Sequence, residues 1–217
     1  MSSLLKEDNR GRTALLTKNL TPGKRVYNED LLLRDGVEYR TWDPFRSKLA
    51  AAILKGLPDD IIRGGSRVLY LGASTGTTAS HVSDLVGAEG LVIGVEFAPR
   101  VAREFVEHVA RERSNVIPFV ADARDPAKYS VVKVDVVYCD IAQPDQTEIA
   151  IANCSRLLKK GGALLLVVKA RSIDVLKDPD IVFSEERMKL EKARFGVRSV
   201  IELSPFDKDH ALIYALA

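Results

Sequence analysis

The stretch RVLYLGASTG, residues 67–76, decides the fold of this chain. An apolar run enters a turn at Gly72, and a second glycine, Gly76, opens the segment TTASHVSDLV, which has helical spacing. A glycine turn lets the backbone approach a ligand closely, and a helix that begins there presents unpaired N–H groups. A second apolar run, LVIGVEF, then ends at Glu96 and Phe97. This order of strand, glycine turn, helix and strand predicts a nucleotide-like ligand at the turn.

The acidic residue and the threonines around this turn indicate which ligand fits. Glu96 lies 24 residues after Gly72, where a carboxylate accepts hydrogen bonds from both hydroxyls of a ribose. The turn lacks the third glycine of the dinucleotide fingerprint, and Thr77 and Thr78 stand there instead. A cofactor without phosphates, contacted by loop amides and hydroxyls, suits this turn better. S-adenosylmethionine is the candidate.

Length and composition predict one sizeable core and no membrane span. The chain has 217 residues, 46% of them hydrophobic, and a net charge of only +2, which is weak evidence for a nucleic-acid partner. The N-terminus lacks the apolar core of a signal peptide, and the aliphatic run 163–168 is too short to cross a bilayer. We therefore expect a cytoplasmic protein. Cys139 and Cys154 are predicted to be reduced and buried, and no residue spacing indicates a metal site.

The rest of the chain predicts an α/β fold in which helices cover both faces of a largely parallel sheet. Strands are expected near 67–72, 91–96, 115–120, 133–139 and 163–169, with helices near 76–86, 99–113, 145–159 and 180–195. Such alternation is typical of a Rossmann-like fold with a mostly parallel central sheet. The runs VRSVIELSP and HALIYALA predict an antiparallel C-terminal strand pair at one edge.

The N-terminal part predicts a separate small β unit. Short β-like pieces fill residues 11–40, and the spacing of Phe45, Leu49, Ile53 and Leu54 predicts a linking helix. We expect a small unit over 1–55 and the α/β domain over 56–217.

Charged residues stand at the carboxyl ends of the predicted strands, where open α/β sheets bind their ligands. The strand ends carry Gly72, Glu96, Asp122, Asp140 and Lys169. A single charged residue there is an ordinary strand terminator. Four at one edge indicate a site.

A second interpretation is a hydrolase. Residues 72–76 match the G-x-S-x-G nucleophile elbow, and Ser74, Asp140 and His210 follow the hydrolase order of nucleophile, acid and base. Against it, the elbow falls on the first strand of the parallel sheet and no His-Gly-Gly segment precedes it. It also leaves Glu96 and Lys169 without a role.

Several segments resemble the fibrillarin family, the RNA ribose 2′-O-methyltransferases of box C/D ribonucleoproteins. They are YRTWDPFRSKLAAAI (39–53), VLYLGASTGTTASHVSDLVG (68–87), VEFAPR (95–100), VADARDPAKY (120–129), DIAQPDQ (140–146), VKARSID (168–174) and DKDHA (207–211). The similarity runs from about residue 10 to the C-terminus, and DIAQPDQ with the glycine turn and DHA is its most specific part. It implies an S-adenosylmethionine-dependent methyltransferase fold.

The resemblance implies methyl transfer from S-adenosylmethionine to a ribose 2′-hydroxyl. The catalytic set it implies is Lys48, Asp140, Lys169 and His210. A ribose hydroxyl is a poor nucleophile at neutral pH, so it must lose its proton or be strongly polarised during transfer. A desolvated Lys169 would accept that proton while Asp140 orients the amine. Lys48 and His210 would position the hydroxyl and phosphate, and which lysine is the base stays open.

By the same resemblance, twelve residues would contact the cofactor. They are Gly72 and Ala73 in the turn, Thr77 and Thr78 at the methionine part, Glu96 and Phe97 at the ribose and adenine, Asp122 and Ala123 at the adenine, and Asp140, Ile141, Ala142 and Gln143 at the reactive side. His81 and His108 have no role in this set and are expected to be structural.

The family relationship also implies how a substrate is selected. The expected partners are a guide RNA, an rRNA or tRNA substrate, a Nop-type scaffold protein and a kink-turn-binding protein. The chain shows no RNA-binding module, and 6% aromatic residues are too few to predict a base-stacking platform. The basic residues that would face phosphates are Arg46, Lys48, Arg171 and Lys208. A non-catalytic scaffold that kept the fold is the alternative from a different class.

The N-terminus carries almost none of the glycine-arginine-rich arm of eukaryotic fibrillarins. Only Asn9-Arg10-Gly11-Arg12 stands in its place, so the chain resembles the compact archaeal form.

Overall fold

A computed structural model describes residues 3–9 and 11–217 of the chain. Arg10 of the expected arm remnant therefore lies outside the described residues. The N-terminal part forms a four-stranded antiparallel sheet in the order β1-β2-β4-β3. Its strands are β1 (Leu4–Asn9), β2 (Arg12–Lys18), β3 (Leu31–Arg34) and β4 (Val37–Trp42).

A seven-stranded sheet forms the rest, in the order β10-β11-β9-β8-β5-β6-β7. Its strands are β5 (Arg67–Leu71), β6 (Leu91–Glu96), β7 (Val116–Val120), β8 (Val134–Cys139), β9 (Leu158–Lys169), β10 (Gly196–Glu202) and β11 (His210–Leu216). Strands β5 to β9 pair in parallel, and β11 pairs antiparallel to both β9 and β10. The predicted fold, with its parallel sheet, C-terminal strand pair and small N-terminal β unit, is confirmed.

Helices cover both faces of the larger sheet. They are α1 (Lys48–Leu54), α2 (Thr77–Val86), α3 (Pro99–Phe105), α4 (Gln146–Leu157), α5 (Ala170–Ile173) and α6 (Pro179–Lys192). A π-helical segment, Val106–Ala110, continues α3, and a 3-10 turn spans Pro126–Tyr129. One apolar core joins α1, α2 and the smaller sheet to one face, and a second core lies under α4 and α6 on the other. The first core includes residues from both sheets, so the domain boundary after residue 55 stays a prediction.

Three local expectations differ from the structure. Strand β1 was not expected, because its sequence LLKEDN has no apolar alternation beyond two leucines. Strand β9 begins at Leu158, directly after α4, rather than at residue 163. Helix α1 begins at Lys48, since Ser47 caps it by accepting a hydrogen bond from the N–H of Ala50. Phe45 therefore lies outside the helix whose spacing it matched.

A buried charged cluster joins the smaller sheet to helix α2 and to the loop before β7. Arg40 of β4 pairs with Asp84 of α2 at 2.8 Å and with Glu29 at 2.7 Å, and Arg113 pairs with the other oxygen of Asp84. All four side chains are fully buried. Removing one member leaves its partners charged in a water-free environment, which is costly. We call Arg40, Asp84, Glu29 and Arg113 the Asp84 cluster.

His81 is structural, as expected, but it does have partners. Its Nδ1 lies 2.7 Å from the hydroxyl of Thr17, and its Nε2 lies 2.5 Å from that of Tyr27. Burial, together with the nearby guanidinium groups, lowers the pKa of His81 well below its ordinary value. The neutral ring bridges the two hydroxyls, so both of its nitrogens have a hydrogen-bond partner where α2 packs on the N-terminal part.

Both cysteines are free and buried, as predicted, and burial raises the pKa of Cys139 to about 12. Among residues 3–9 and 11–217, no helix is long and apolar enough to cross a bilayer. The described part of the chain also contains no group of three or more metal-ligating side chains.

Candidate functional site

The site lies at the carboxyl ends of the parallel strands, where two backbones approach closely. Gly72 follows β5 with a φ of +81°, and Asp140 follows β8 and donates its N–H to the carbonyl of Leu71. A Cβ on residue 72 would stand 2.6 Å from the carbonyl oxygen of Asp140. Only glycine fits there, because a side chain would meet both the unfavourable φ and the neighbouring backbone.

The carboxylate of Asp140 lies between two lysines. Lys169, the last residue of β9, has its Nζ 2.8 Å from Oδ1 of Asp140 and donates to the Asp140 carbonyl at 3.1 Å. Lys48, the first residue of α1, approaches Oδ2 at 3.4 Å. The side chain of Asp140 is 13% exposed and that of Lys169 is 16% exposed, so water screens this group only in part. Helix α1 and two sheet strands thus deliver three charged groups to one point.

A second carboxylate, not singled out from the sequence, completes the set. Asp207 has one oxygen 2.8 Å from Nδ1 of His210 and the other 3.7 Å from Nζ of Lys48. His210 begins β11 and lies opposite Lys169 in the antiparallel register. The four predicted catalytic residues are therefore brought together, with Asp207 linking the histidine to Lys48. The segment DKDHA was part of the family resemblance, but nothing in its sequence distinguishes Asp207 from Asp209.

A cleft of about 300 Å³ opens beside Asp140 and Lys169. Its lining is Gly72, Ser74, Val95, Glu96, Phe97, Ala121, Asp122, Ala123, Arg124, Asp140, Ile141, Ala142, Gln143, Ile149 and Lys169. Nine of the twelve residues predicted to contact a cofactor are in this set. Its volume is at the lower end of the range for small-molecule sites.

The acidic groups of this cleft are held by the backbone. Glu96 ends β6 and accepts hydrogen bonds from the N–H groups of Ser74 and Ala98 at 2.9 and 3.0 Å. Asp122 accepts one from the N–H of Arg124 at 2.9 Å. Phe97 lies beside them with 69% of its surface exposed. Two oriented carboxylates and an open aromatic ring can receive a flat ligand that carries hydroxyl and amino donors.

Three described residues of the predicted cofactor set lie outside the cleft lining. Ala73 is buried, and Thr77 is half-buried at the start of α2. The hydroxyl of Thr78 is directed to α1, where it donates to Oγ of Ser47 at 3.0 Å. Because Ser47 caps α1, Thr78 supports the helix that carries Lys48. The assignment of these three residues to the cofactor stays a prediction.

A larger cleft, of about 610 Å³, lies at the opposite end of the sheet. Gly64, Asp135, Lys159 and Gly161 are among its lining residues, and Asp135 and Lys159 pair with each other. Volume alone does not indicate chemistry, and the predicted catalytic residues Asp140 and Lys169 line the smaller cleft.

The fibrillarin family model matches residues 3–217. The chain belongs to the fibrillarin family. It is 55% identical to a fibrillarin-like rRNA/tRNA 2′-O-methyltransferase of Sulfolobus acidocaldarius over 207 residues, 94% of this chain and 89% of the relative. The resemblance inferred from the sequence is confirmed.

Two solved fibrillarin structures share the fold closely. The Aeropyrum pernix fibrillarin, in complex with natively bound S-adenosyl-L-methionine, superposes with a TM-score of 0.87 at 44% identity, covering 99% of this chain and 100% of that one. A fibrillarin/Nop5p complex gives a TM-score of 0.87 at 42% identity, covering 99% and 97%.

The geometry of this fibrillarin does not form the triad of the hydrolase interpretation. His210 is paired with Asp207, whereas the carboxylate of Asp140 is held by the two lysines. Ser74 is exposed, and its backbone N–H is bonded to Glu96. A nucleophilic serine requires a base within hydrogen-bond reach. Within the described residues, no hydrogen bond joins Ser74 to His210.

Proposed function

We propose that this fibrillarin methylates ribose 2′-hydroxyls of rRNA, and also of tRNA, with S-adenosylmethionine as the methyl donor. The single observation that carries the proposal is the position of Asp140 between Lys48 and Lys169, at the edge of the cleft that Glu96 and Phe97 line. The rRNA/tRNA 2′-O-methyltransferase from Sulfolobus acidocaldarius, 55% identical, supports it.

The residues of the cleft fit S-adenosylmethionine. The Glu96 carboxylate suits the two ribose hydroxyls, Asp122 suits the adenine amino group, and the open ring of Phe97 suits the face of the base. The absence of a side chain at Gly72 lets the turn after β5 lie directly against the backbone of Asp140, which forms part of the cleft lining. The bound S-adenosylmethionine of the Aeropyrum pernix fibrillarin supports the same cofactor here.

The mechanism follows from the charged groups next to this cleft. When bound, S-adenosylmethionine supplies an electrophilic methyl group on a positively charged sulfur. The Asp140 carboxylate favours positive charge beside it and orients both lysine amines. As its oxygen takes up the methyl group, the ribose hydroxyl would give its proton to Nζ of Lys169 or of Lys48, whichever amine is neutral. Asp207 holds Lys48 and His210 where they can position the hydroxyl and the neighbouring phosphate.

We infer that substrate selection belongs to the partners. The fibrillarin/Nop5p complex supports a Nop-type scaffold protein for this chain. A guide RNA that pairs with the target and a kink-turn-binding protein complete the proposed box C/D particle. Base pairing then selects the nucleotide, while this subunit supplies the chemistry. The cytoplasm stays the predicted location.

The test measures transfer of labelled methyl from S-adenosylmethionine to a guide-paired RNA by the assembled particle. Two substrates are compared, with ribose or 2′-deoxyribose at the target position. Incorporation that requires the 2′-hydroxyl is the expected result. Equal incorporation into both substrates would assign the methyl group to another acceptor, and none in either would leave the chain without the proposed activity.

Gly72→Ala should weaken cofactor binding about ten-fold or more, because the new Cβ would stand 2.6 Å from the Asp140 carbonyl and displace it. Isothermal titration with S-adenosylmethionine measures this effect. Gly65→Ala is the matched control: Gly65 has the same φ of +81°, but a Cβ there meets nothing within 4 Å. If both variants bind the cofactor equally well, the close approach at Gly72 does not shape the site.

Ser74→Ala should lower methyl transfer at most modestly, since the backbone N–H of Ser74, which holds Glu96, remains. A triad enzyme would instead lose activity by several orders of magnitude. Initial rates of methyl transfer and of ester hydrolysis, compared between the wild type and the variant, distinguish the two. Esterase activity that is present in the wild type and lost in Ser74→Ala would support the hydrolase interpretation.

A further inference from the structure

Gln146 is the first residue of α4, and its side chain is fully buried. Its Nε2 donates to the backbone carbonyl of Gln143 at 2.9 Å, and its Oε1 accepts from the backbone N–H of Lys169 at 3.2 Å. One partner is an acceptor and the other a donor, so together they fix the direction of the amide. This buried side chain thus joins a lysine of the catalytic set to the turn that begins at Asp140.

The backbone N–H of Lys169 has no strand to bond to on the side of α4. Lys169 lies opposite His210 on β11, and the next residue, Ala170, donates its N–H to the carbonyl of Asp209. This spacing makes Lys169 and His210 a non-hydrogen-bonded pair, so the N–H of Lys169 points away from β11. Strand β8, on that other side, ends at Cys139, three residues short of Lys169 in the parallel register. The Gln146 side chain takes the place of a strand there.

These bonds fasten Lys169 to the turn after β8 at two points. Its Nζ lies 2.8 Å from Oδ1 of Asp140 and donates to the Asp140 carbonyl at 3.1 Å. Its backbone is bonded to Gln146, which holds the carbonyl of Gln143 in the same turn. The contacts form a closed cycle that includes both charged groups. A shift of the amine relative to the carboxylate must therefore stretch or break one of them.

The cycle requires a side chain that carries both a donor and an acceptor at this length. An ionised glutamate has no donor for the Gln143 carbonyl, and methionine has no donor and only a weak acceptor. Gln146 does not line the cleft of about 300 Å³. Any effect of Gln146 on the reaction must therefore pass through the residues that it holds.

We propose that Gln146 is a positioning residue for methyl transfer, whose amide sets the place of the Lys169 amine relative to the Asp140 carboxylate. The proposal rests on the proposed function, because it takes this pair to belong to the charged set that acts on the ribose hydroxyl. Both proton transfer and charge stabilisation depend on where these groups lie. A misplacement of about 1 Å in an active site costs roughly a hundred-fold in rate.

The first experiment compares Gln146→Met with the wild type in the assembled particle, with saturating S-adenosylmethionine and a guide-paired RNA. Methionine keeps the length of the side chain but removes both hydrogen bonds. The single-turnover rate at saturating RNA should fall by about ten-fold to one-hundred-fold. The RNA concentration that gives the half-maximal rate should change by less than about two-fold, since a buried residue outside the cleft does not bind the RNA.

Asn115→Leu is the matched control for loss of a buried amide. Asn115 lies just before β7, at the opposite end of the parallel strands. It accepts from the hydroxyl of Ser83 at 2.7 Å and donates to the carbonyls of Ser83 and Gly87 at 3.0 and 2.8 Å. Its removal should lower the thermal midpoint at least as much as Gln146→Met does. At a temperature well below both midpoints, Asn115→Leu should keep the wild-type rate.

A double-variant cycle tests whether Gln146 acts through Lys169. In a Lys169→Met background the amine is absent, so adding Gln146→Met should lower the residual rate by less than about two-fold. If Lys169→Met has no measurable rate, exchange of the Lys169 amide hydrogen, followed by NMR, replaces the cycle. That exchange should be faster by about ten-fold or more in Gln146→Met and unchanged in Asn115→Leu.

Three results would overturn the positioning role. They are an unchanged rate in Gln146→Met, an equal loss of rate in Asn115→Leu, and a loss that is undiminished in the Lys169→Met background or accompanied by unchanged amide exchange. The second would assign the loss to general destabilisation. Wild-type incorporation that requires the 2′-hydroxyl, measured in the same series, keeps the proposed function standing when the positioning role fails.

Discussion

Asp140→Asn should lower methyl transfer by about a thousand-fold, while the fold and particle assembly persist. The substitution keeps the shape of the side chain but removes the charge that holds Lys169 at 2.8 Å and Lys48 at 3.4 Å. Loss of one preorganised electrostatic group in an active site costs roughly a hundred-fold to a thousand-fold, and loss of proton-transfer assistance adds to this. Single-turnover transfer of labelled methyl in the assembled particle measures the effect.

Asp135→Asn is the control for this prediction. Asp135 lies in β8, the strand that leads to Asp140, but at its opposite end, where it pairs with Lys159. It should therefore leave the transfer rate unchanged. A non-catalytic scaffold does not need the Asp140 charge. Normal methylation by an Asp140→Asn particle would therefore support the scaffold interpretation. Loss of methylation with intact assembly would exclude it.

Asp84→Ala should destabilise the protein by about 3–5 kcal/mol, because it leaves two buried guanidinium groups without their shared carboxylate. The residue receives Arg40 at 2.8 Å, the hydroxyl of Thr17 at 2.9 Å and Arg113 on its other oxygen. For a chain of this length, such a loss lowers the thermal midpoint by roughly 10 °C. Calorimetry or circular dichroism on the purified chain measures it.

The matched surface pair should behave differently. Lys6 and Asp59 are 2.7 Å apart, but their side chains are 43% and 45% exposed, so water already solvates both charges. Lys6→Ala should leave the thermal midpoint unchanged within error. Equal shifts of the thermal midpoint in Lys6→Ala and Asp84→Ala would show that the buried Asp84 cluster stabilises the protein no more than a surface ion pair does.

Local pattern was enough to predict the parallel sheet. Apolar period, glycine turns and the alternation of elements are properties of neighbouring residues, and right-handed crossovers restrict how such units connect. The expectation that Glu96, Asp122 and Asp140 lie at one edge follows from this connectivity, and all three line the cleft. Boundaries were less well predicted: Phe45 has helical spacing, yet the Ser47 cap begins the helix after it.

Local sequence pattern could not predict contacts between segments that are distant along the chain. Folding places Phe45, in the turn before α1, against Phe206, in the turn before β11. The hydroxyl of Thr78, a predicted cofactor contact, donates a hydrogen bond to Ser47 in the turn before α1. His81 had no visible partner along its helix and gains two from the smaller sheet and its loop.

By itself, the sequence determined the fold, the family and the residues that stand at the strand ends, because periodicity, turn chemistry and motif identity are encoded locally. Only the tertiary structure decided which of those residues lie in contact. Lys48 meets Asp140 across 92 positions of the chain, and Asp207 joins Lys48 to His210. Such contacts depend on how helix α1 and the turn before β11 pack on one sheet edge, and no short-range pattern specifies that packing.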